Sequence, residues 1–240
     1  MPIKAILFDM FDTLMLIEKN HAFYYPSLKK AHKFLTKNNI AVKFEVFKSA
    51  YIKARNTLYL KANLNLEEPH FNRRISKALE SLGYVDLESK IIEGATKEFC
   101  EGFKEYVRID EHAKSVIEKL HRKFKLGIVS NFAIPECIDE LLEEHNLKKF
   151  FDVVLVSGAV NKRKPSPEVF QKALKKIGVS AENALFVGDT IEADIIGAKA
   201  VGMKSIFVER RAQKEFENAC PNQTIRSLSQ LLEAIDNCSP

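Results

Sequence analysis

Apolar and polar residues follow two different patterns along this chain, and the change between them predicts its organisation. Up to about residue 16, and again from about residue 109, short apolar runs alternate with amphipathic stretches of helical spacing. The apolar runs predict strands at residues 3–8, 125–129, 152–156, 184–187 and 204–208. The amphipathic stretches predict helices at residues 135–145, 167–177 and 192–201. Such alternation indicates an α/β fold with a parallel sheet and right-handed crossovers.

Residues from about 17 to 107 lack this alternation and show helical spacing throughout. Helices are predicted near residues 22–38, 43–60, 70–83 and 87–103. In the first of them Leu28, Ala31 and Leu35 share one face, as expected of an amphipathic helix. The pattern predicts two domains: an α/β core of residues 1–16 and 108–240, and an all-helical domain of residues 17–107 inserted after the first strand.

The composition is that of an ordinary globular protein, but the charge is unevenly distributed. Of 240 residues, 46% are hydrophobic and 29% are charged, and the net charge is +5. Between residues 19 and 61 ten lysines and arginines accompany a single acid, Glu45. This excess could steer an anionic substrate, or it could be the solvated faces of two helices. No nucleic-acid-binding module and no membrane-spanning stretch is recognisable, so neither partner is expected.

Four cysteines are scattered along the chain without the spacing of a metal site: Cys100, Cys137, Cys220 and Cys238. Neither a CxxC nor a Cys/His ligand pattern occurs. The first predicted strand starts at about Ile3, which leaves no room for a signal peptide. These features predict a cytoplasmic protein in a reducing environment.

Four groups of polar residues lie at, or shortly beyond, the C-terminal ends of predicted strands. They are Asp9 with Thr13, Ser130-Asn131, Lys164-Pro165-Ser166-Pro167, and the stretch from Gly188 through Asp189 to Asp194. Ligands of open α/β sheets bind at this edge, so all four groups are expected to face one crevice. Each group alone also has an ordinary explanation as a cap, a turn or a solvated lysine.

Taken together and in this order, the four groups resemble the motifs of the haloacid dehalogenase superfamily, which is dominated by magnesium-dependent phosphatases. The resemblance covers the α/β core, and it implies a Rossmann-like core with the helical insertion as a cap. It implies that Asp9 is the nucleophile and that Lys164, also catalytic, stabilises the charge of the bound group. Further substrate-binding residues would be Thr13, Ser130 and Asn131. The implied Mg²⁺ ligands are Asp9, the main-chain carbonyl of Phe11, Asp189 and Asp194.

Elementary electrostatics supports a metal at such a site. A carboxylate that attacks a phosphate dianion meets strong repulsion, and three neighbouring aspartates raise one another's pKa. Mg²⁺ binds oxygen ligands and removes both penalties, and Lys164 adds a second positive charge against the transition state. The predicted activity is hydrolysis of a small anionic substrate, a phosphate ester, through a phosphorylated Asp9.

The chain departs from the superfamily pattern at one position. Most phosphatases of this type carry an acid–base aspartate two residues after the nucleophile, where this chain has Phe11. General acid–base catalysis is typically worth about 10²–10⁴ in rate. Asp12 could take over the role, or a cap side chain or a substrate group could supply the proton.

Phe11 also keeps two other functions open. The superfamily's 2-haloacid dehalogenases carry an aromatic residue at this position, but they use no metal and lack the acidic fourth motif. A catalytically decayed binding or regulatory module is the remaining alternative. Retention of so costly a charge cluster argues against it.

Overall fold

The computed structural model describes residues 2–18, 22–210 and 220–238, and its core is a six-stranded sheet. The strand order is β5-β4-β1-β6-β7-β8, and every neighbouring pair is parallel. The strands are β1 (Ala5–Phe8), β4 (Lys125–Ser130), β5 (Val153–Val156), β6 (Ala184–Gly188), β7 (Lys204–Val208) and β8 (Gln223–Ile225). The five predicted strands are therefore present within two residues of their expected bounds, and the predicted α/β fold class is confirmed.

Both faces of the sheet are covered, which explains why its central strands are continuously apolar. Ile6 and Phe8 of β1 belong to one buried cluster, together with residues of α5 (Ala113–His121), α6 (Pro135–Glu144) and α10 (Leu231–Cys238). Ala5 and Leu7 belong to a second cluster with α8 (Pro167–Ile177) and α9 (Gly197–Ala200) on the opposite face. A short helix, α7 (Ser157–Val160), follows β5. The core is thus a three-layer helix–sheet–helix arrangement.

The four helices predicted between residues 17 and 107 are also present, and their grouping as an inserted domain stays a prediction. Its helices are α1 (Tyr24–Lys37), α2 (Phe44–Ala62), α3 (Phe71–Glu80) and α4 (Ser89–Lys104). α1 packs against α4, and α2 packs against α3. Two short strands that the sequence did not predict, β2 (Met15–Ile17) and β3 (Val107–Ile109), pair antiparallel at the entry and exit of this segment. Because the two connections lie side by side, the segment has the geometry that an insertion requires.

The structure contains one predicted helix with its expected bounds and a second one only in part. α8 begins with Pro167 at its first position and ends at Gly178, whose φ of +70° suits glycine. The predicted helix at residues 192–201 is not a single α-helix. It is a π-helical turn, Ile191–Ile196, followed by α9. Such turns are frequent at functional sites, and Asp194 lies within this one.

The spacing of Leu228, Leu231, Leu232 and Ile235 predicts a closing loop and helix within residues 212–240. Residues 212–219 and 239–240 lie outside the described residues, while Leu228, Leu231 and Ile235 are buried as this spacing predicts.

The cysteines differ from the prediction of a reducing environment, in which thiols stay unpaired. In the structure Cys100 of α4 is disulfide-bonded to Cys137 of α6, which ties the helical segment to the core. None of the helices within the described ranges is both long and apolar enough to cross a membrane.

Candidate active site

Asp9 stands at the centre of the carboxyl edge of the sheet. β1 lies between β4 and β6, and Phe8 is level with Ile128 and Val187 of those strands. The Asp9 amide donates to the Val187 carbonyl at 2.9 Å, which extends the ladder by one step. The carboxylate therefore leaves a rigid strand directly into the space beyond the sheet.

Lys164 reaches Asp9 from the loop before α8. Its Nζ donates to Asp9 Oδ1 at 2.5 Å and lies 2.7 Å from Asp194 Oδ1, with its side chain only 1% exposed. Asn131 holds the main chain of this loop from both sides. Asn131 Nδ2 donates to the Lys164 carbonyl at 3.0 Å, and the Lys164 amide donates to Asn131 Oδ1 at 2.8 Å. The Asn131 side chain, predicted to bind substrate, is therefore engaged in positioning Lys164.

Asp189 and Asp194 complete a cluster with Asp9. One carboxylate oxygen from each of the three lies within 4.8 Å of the other two, and all three residues are buried. Asp194 Oδ2 accepts the Thr190 amide at 3.0 Å, which fixes the orientation of its carboxylate. A Cβ at Gly188 would collide with the Asp194 carboxyl group, so glycine is required where the strand ends.

This donor set fits Mg²⁺. One oxygen from each of three carboxylates converges there, and Lys164 contacts two of them, those of Asp9 and Asp194. Mg²⁺ is bound by one or two carboxylates together with waters and substrate phosphate oxygens. A divalent cation therefore matches the oxygen ligands and would offset the repulsion between the carboxylates. Phe11 lines the same cavity, and the role of its main-chain carbonyl as a further ligand stays a prediction.

Burial and charge shift the pKa values at this site in opposite senses. Burial raises the pKa of Asp9 to about 6, and Asp194 adds to that rise, while Lys164 opposes it. Burial alone would lower the pKa of Lys164, but the carboxylates of Asp194 and Asp9 outweigh it and raise this pKa. Lys164 is therefore protonated at neutral pH.

We expect Mg²⁺ to raise the melting temperature, and to raise it more at about pH 7.5 than at about pH 5. The folded protein holds the Asp9 proton more tightly than the unfolded chain, so below about pH 6 the metal must displace that proton. At a Mg²⁺ concentration about a hundred times the Kd, the free energy of unfolding rises by about 2.7 kcal/mol. For a chain of this length the melting temperature then rises by roughly 5–10 °C. Differential scanning fluorimetry measures this shift. Asp189→Asn should lose it and the exposed Asp236→Asn should keep it, whereas an equal shift in both variants would contradict the assignment.

The two predicted hydroxyl residues differ in position. Ser130, at the end of β4, lines the cavity of about 280 Å³ in front of Asp9. Thr13 is fully buried, and its Oγ1 donates to Asp9 Oδ2 over a long 3.5 Å. Ser130 is thus placed to contact a ligand, whereas Thr13 is placed to orient the Asp9 carboxylate.

Phe11 belongs to an aromatic cluster between the helical segment and the core. Its ring lies 5.1 Å from that of Phe103 in α4 and 5.0 Å from that of Phe132 in the loop after β4. The Phe103 and Phe132 rings stack on each other at 5.0 Å. The ring therefore has a packing role that its place in the motif did not reveal.

Asp12, predicted as an alternative acid–base residue, lines the cavity, and its carboxylate is hydrogen-bonded to the main chain. Asp12 Oδ1 accepts the Ile17 amide at 3.1 Å. Its φ of +56° lies in the left-handed region, which aspartate tolerates better than most residues. This hydrogen bond anchors the turn after Asp9, and a role of Asp12 in proton transfer stays a prediction.

Arg210 and Asp110 support the site, and the sequence reasoning missed both. Arg210 Nη2 contacts Asp110 Oδ2 at 2.7 Å and donates to the Thr13 carbonyl at 3.2 Å. Its Nε donates to the Asp12 carbonyl at 3.3 Å. Arg210 therefore holds the loop that follows Asp9. Arg210 lies just after the predicted strand at residues 204–208. A polar residue just beyond a strand end is the same signal that identified the four groups of candidate site residues.

Comparison with known proteins identifies the family of this chain. The family model of the haloacid dehalogenase-like hydrolases matches residues 38–208. The chain is 28% identical over 219 residues to the glyceraldehyde 3-phosphate phosphatase of Methanopyrus kandleri, covering 90% of this chain and 88% of that one. It is 29% identical over 166 residues to the phosphoserine phosphatase of Thermus thermophilus, covering 69% and 65%.

A solved structure adds evidence for the fold. The 2-haloacid dehalogenase of Pseudomonas syringae pv. Tomato superposes with a TM-score of 0.76 at 23% identity, covering 99% of this chain and all of that one. Together with the matched family model, this confirms the superfamily and the Rossmann-like core that the motifs predicted. The chain belongs to the haloacid dehalogenase-like hydrolases.

Proposed function

We propose that this protein is a Mg²⁺-dependent phosphatase of a small phosphorylated compound. The observation that carries the proposal is the contact of one buried ammonium group, that of Lys164, with both Asp9 and Asp194 beside a third carboxylate, Asp189. The phosphatase names of its relatives from Methanopyrus kandleri and Thermus thermophilus support the same reaction class. A dehalogenase needs no such acidic cluster.

The proposed reaction has two steps. An oxygen of Asp9 forms a bond to phosphorus while the bond from phosphorus to the leaving oxygen breaks, and that oxygen takes up a proton. Water then attacks phosphorus, which releases inorganic phosphate and restores the Asp9 carboxylate. Lys164 stays protonated and faces the charge that develops on the phosphoryl group. Ser130 offers its hydroxyl to a phosphoryl oxygen, and Thr13 orients the Asp9 carboxylate. Bound Mg²⁺ would supply the remaining positive charge at Asp9, Asp189 and Asp194.

We further propose that residues 17–107 act as a cap over a core of residues 1–16 and 108–240. Phe23 and Phe103 of the helical segment line the cavity that contains Asp9, so this segment forms part of the wall of the site. Movement of the segment would admit substrate, and its return would exclude water during transfer.

The Phe11 side chain cannot protonate the leaving group. We therefore expect Phe11→Asp to increase the hydrolysis of esters with poor leaving groups relative to those with good ones. The ratio of kcat on glycerol 3-phosphate to kcat on p-nitrophenyl phosphate should rise by about 10-fold or more, because only the alkyl ester needs an acid. Stability should fall by about 1–3 kcal/mol, since the ring packs on Phe103 and Phe132. Phe11→Leu removes the ring without adding an acid, so an equal rise in that variant would contradict the explanation.

Dehalogenation is the second candidate, because Phe11 is the aromatic residue expected of such enzymes. The first experiment is hydrolysis of p-nitrophenyl phosphate with and without Mg²⁺, since this good leaving group needs no acid. Turnover that survives EDTA would contradict the metal assignment. Absence of turnover would favour halide release from 2-chloropropionate, or a binding role if that assay is also negative. The cytoplasmic location stays a prediction, and the Cys100–Cys137 disulfide argues against a strongly reducing compartment.

A further inference from the structure

A second cavity of about 220 Å³ lies beside the one that contains Asp9. The two cavities share Phe23, Asn131 and Phe132 as walls, so a substrate with its phosphoryl group at Asp9 has the second cavity next to it. The lining of this second cavity is rich in aromatic rings, namely Phe23, Tyr24, Tyr59, Phe71, Phe99 and Phe132. We call it the aromatic pocket.

Two buried charged residues, Glu68 and Arg74, lie in the wall of the aromatic pocket. They are 7% and 8% exposed, and Arg74 Nη2 donates to Glu68 Oε1 at 3.0 Å. The Tyr59 hydroxyl bonds to both of them. Glu68 Oε2 receives no hydrogen bond from the described residues, and Arg74 Nε is buried without a partner among them. The pair thus has one carboxylate oxygen, Glu68 Oε2, that can accept a further hydrogen bond, whereas Arg74 Nε is buried too deeply for a ligand to reach.

The charges of this pair cancel, which restricts what the pocket can accept. A second anion would be buried next to the Glu68 carboxylate, a position that is costly unless a further cation pairs with it. Two further cations, Arg55 and Arg163, lie over the Tyr24 and Tyr59 rings but do not line the pocket. Each is engaged in an exposed contact with an asparagine side chain, Arg55 with Asn56 and Arg163 with Asn63. A neutral group that offers a hydrogen-bond donor to Glu68 meets no such penalty.

We propose that the aromatic pocket holds part of the leaving group of the substrate, and that this part is a neutral planar ring with a hydrogen-bond donor on its edge. Aromatic walls favour a flat partner through stacked and edge contacts. A volume of about 220 Å³ is below that of pockets for drug-sized ligands, roughly 300–1,000 Å³, and suits a single ring system. A pyrimidine base has these properties. The inference rests on the proposed phosphatase activity and assigns its substrate class.

The first test compares two esters that differ only by the ring, uridine 5′-monophosphate and ribose 5-phosphate. The kcat/KM of the wild-type protein should be at least about 10-fold higher for the nucleotide, equivalent to about 1.4 kcal/mol of added transition-state binding. A ratio below about threefold would overturn the proposal. Acetyl phosphate serves as the probe of the chemistry alone. If it is not hydrolysed in Mg²⁺ the proposed function fails, whereas hydrolysis without discrimination by the ring overturns only this inference.

The second test examines the charge balance through Glu68→Gln, which retains the shape of the side chain and leaves Arg74 uncompensated. The ratio of kcat/KM for 3-phosphoglycerate to that for glycerol 3-phosphate should rise by about 10-fold, because the pocket would then attract an anionic leaving group. Glu67→Gln makes the same change at the neighbouring residue, outside the pocket lining, and should leave the ratio unchanged. Equal losses on both substrates in Glu68→Gln would show a purely structural residue and overturn the assignment.

Discussion

Asp9→Asn is expected to lose turnover of p-nitrophenyl phosphate by a factor on the order of 10⁴ or more. An amide oxygen is a far weaker nucleophile than a carboxylate, and the change also removes one of the three carboxylates of the acidic cluster. The loss should appear in kcat rather than in KM, because the bond to phosphorus forms only in the transition state. Steady-state assays in saturating Mg²⁺ measure it.

The fold should survive this change. Asparagine keeps the size of the side chain, and it removes a carboxylate whose pKa is raised to about 6 mainly by burial. Asp236→Asn makes the same substitution at an exposed position of α10 and serves as the control. If Asp9→Asn retained wild-type turnover while Asp236→Asn behaved normally, nucleophilic catalysis by Asp9 would be excluded and a binding module would gain support.

Lys164→Met is expected to reduce kcat by about 10²–10³ and to destabilise the protein as well. Methionine keeps most of the apolar stem but removes the charge that faces the transferring group, and one preorganised donor is typically worth this much. The substitution also leaves Asp9 and Asp194 without their shared cation, and breaking a buried ion pair costs about 3–5 kcal/mol. Urea unfolding in EDTA measures the second effect.

The pH dependence of this stabilisation has a definite sign. The pKa of Lys164 is raised on folding, so its contribution is complete at neutral pH and is lost only as the pH rises above the ordinary value of 10.5. Lys162→Met is the matched control, because Lys162 Nζ makes its contacts nearer the surface, with Glu168 at 3.2 Å and with the Asn65 carbonyl at 3.0 Å. Exposed pairs contribute about 0–1 kcal/mol. Equal destabilisation of the two variants would contradict a buried charge network at Lys164.

Local patterns in the sequence determined the elements of the core and the edge at which its chemistry lies. Apolar runs mark strands that are buried on both faces, and in a parallel sheet all carboxyl ends meet at one edge. Asp9, Ser130 and Asp189 could therefore be assigned to one crevice without coordinates. β2, β3 and β8 escaped prediction because a three-residue strand has no apolar run long enough to recognise.

The tertiary structure alone decided how these residues divide their tasks. Whether the Asn131 amide meets substrate or the main chain of Lys164 depends on two loops more than 30 residues apart. Likewise the Phe11 ring is a packing element only because α4 brings Phe103 to it. The motifs thus identified the family, since they depend only on the residues at the strand ends. The balanced Glu68–Arg74 pair, on which substrate selection is proposed to rest, arises from long-range packing that no local periodicity encodes.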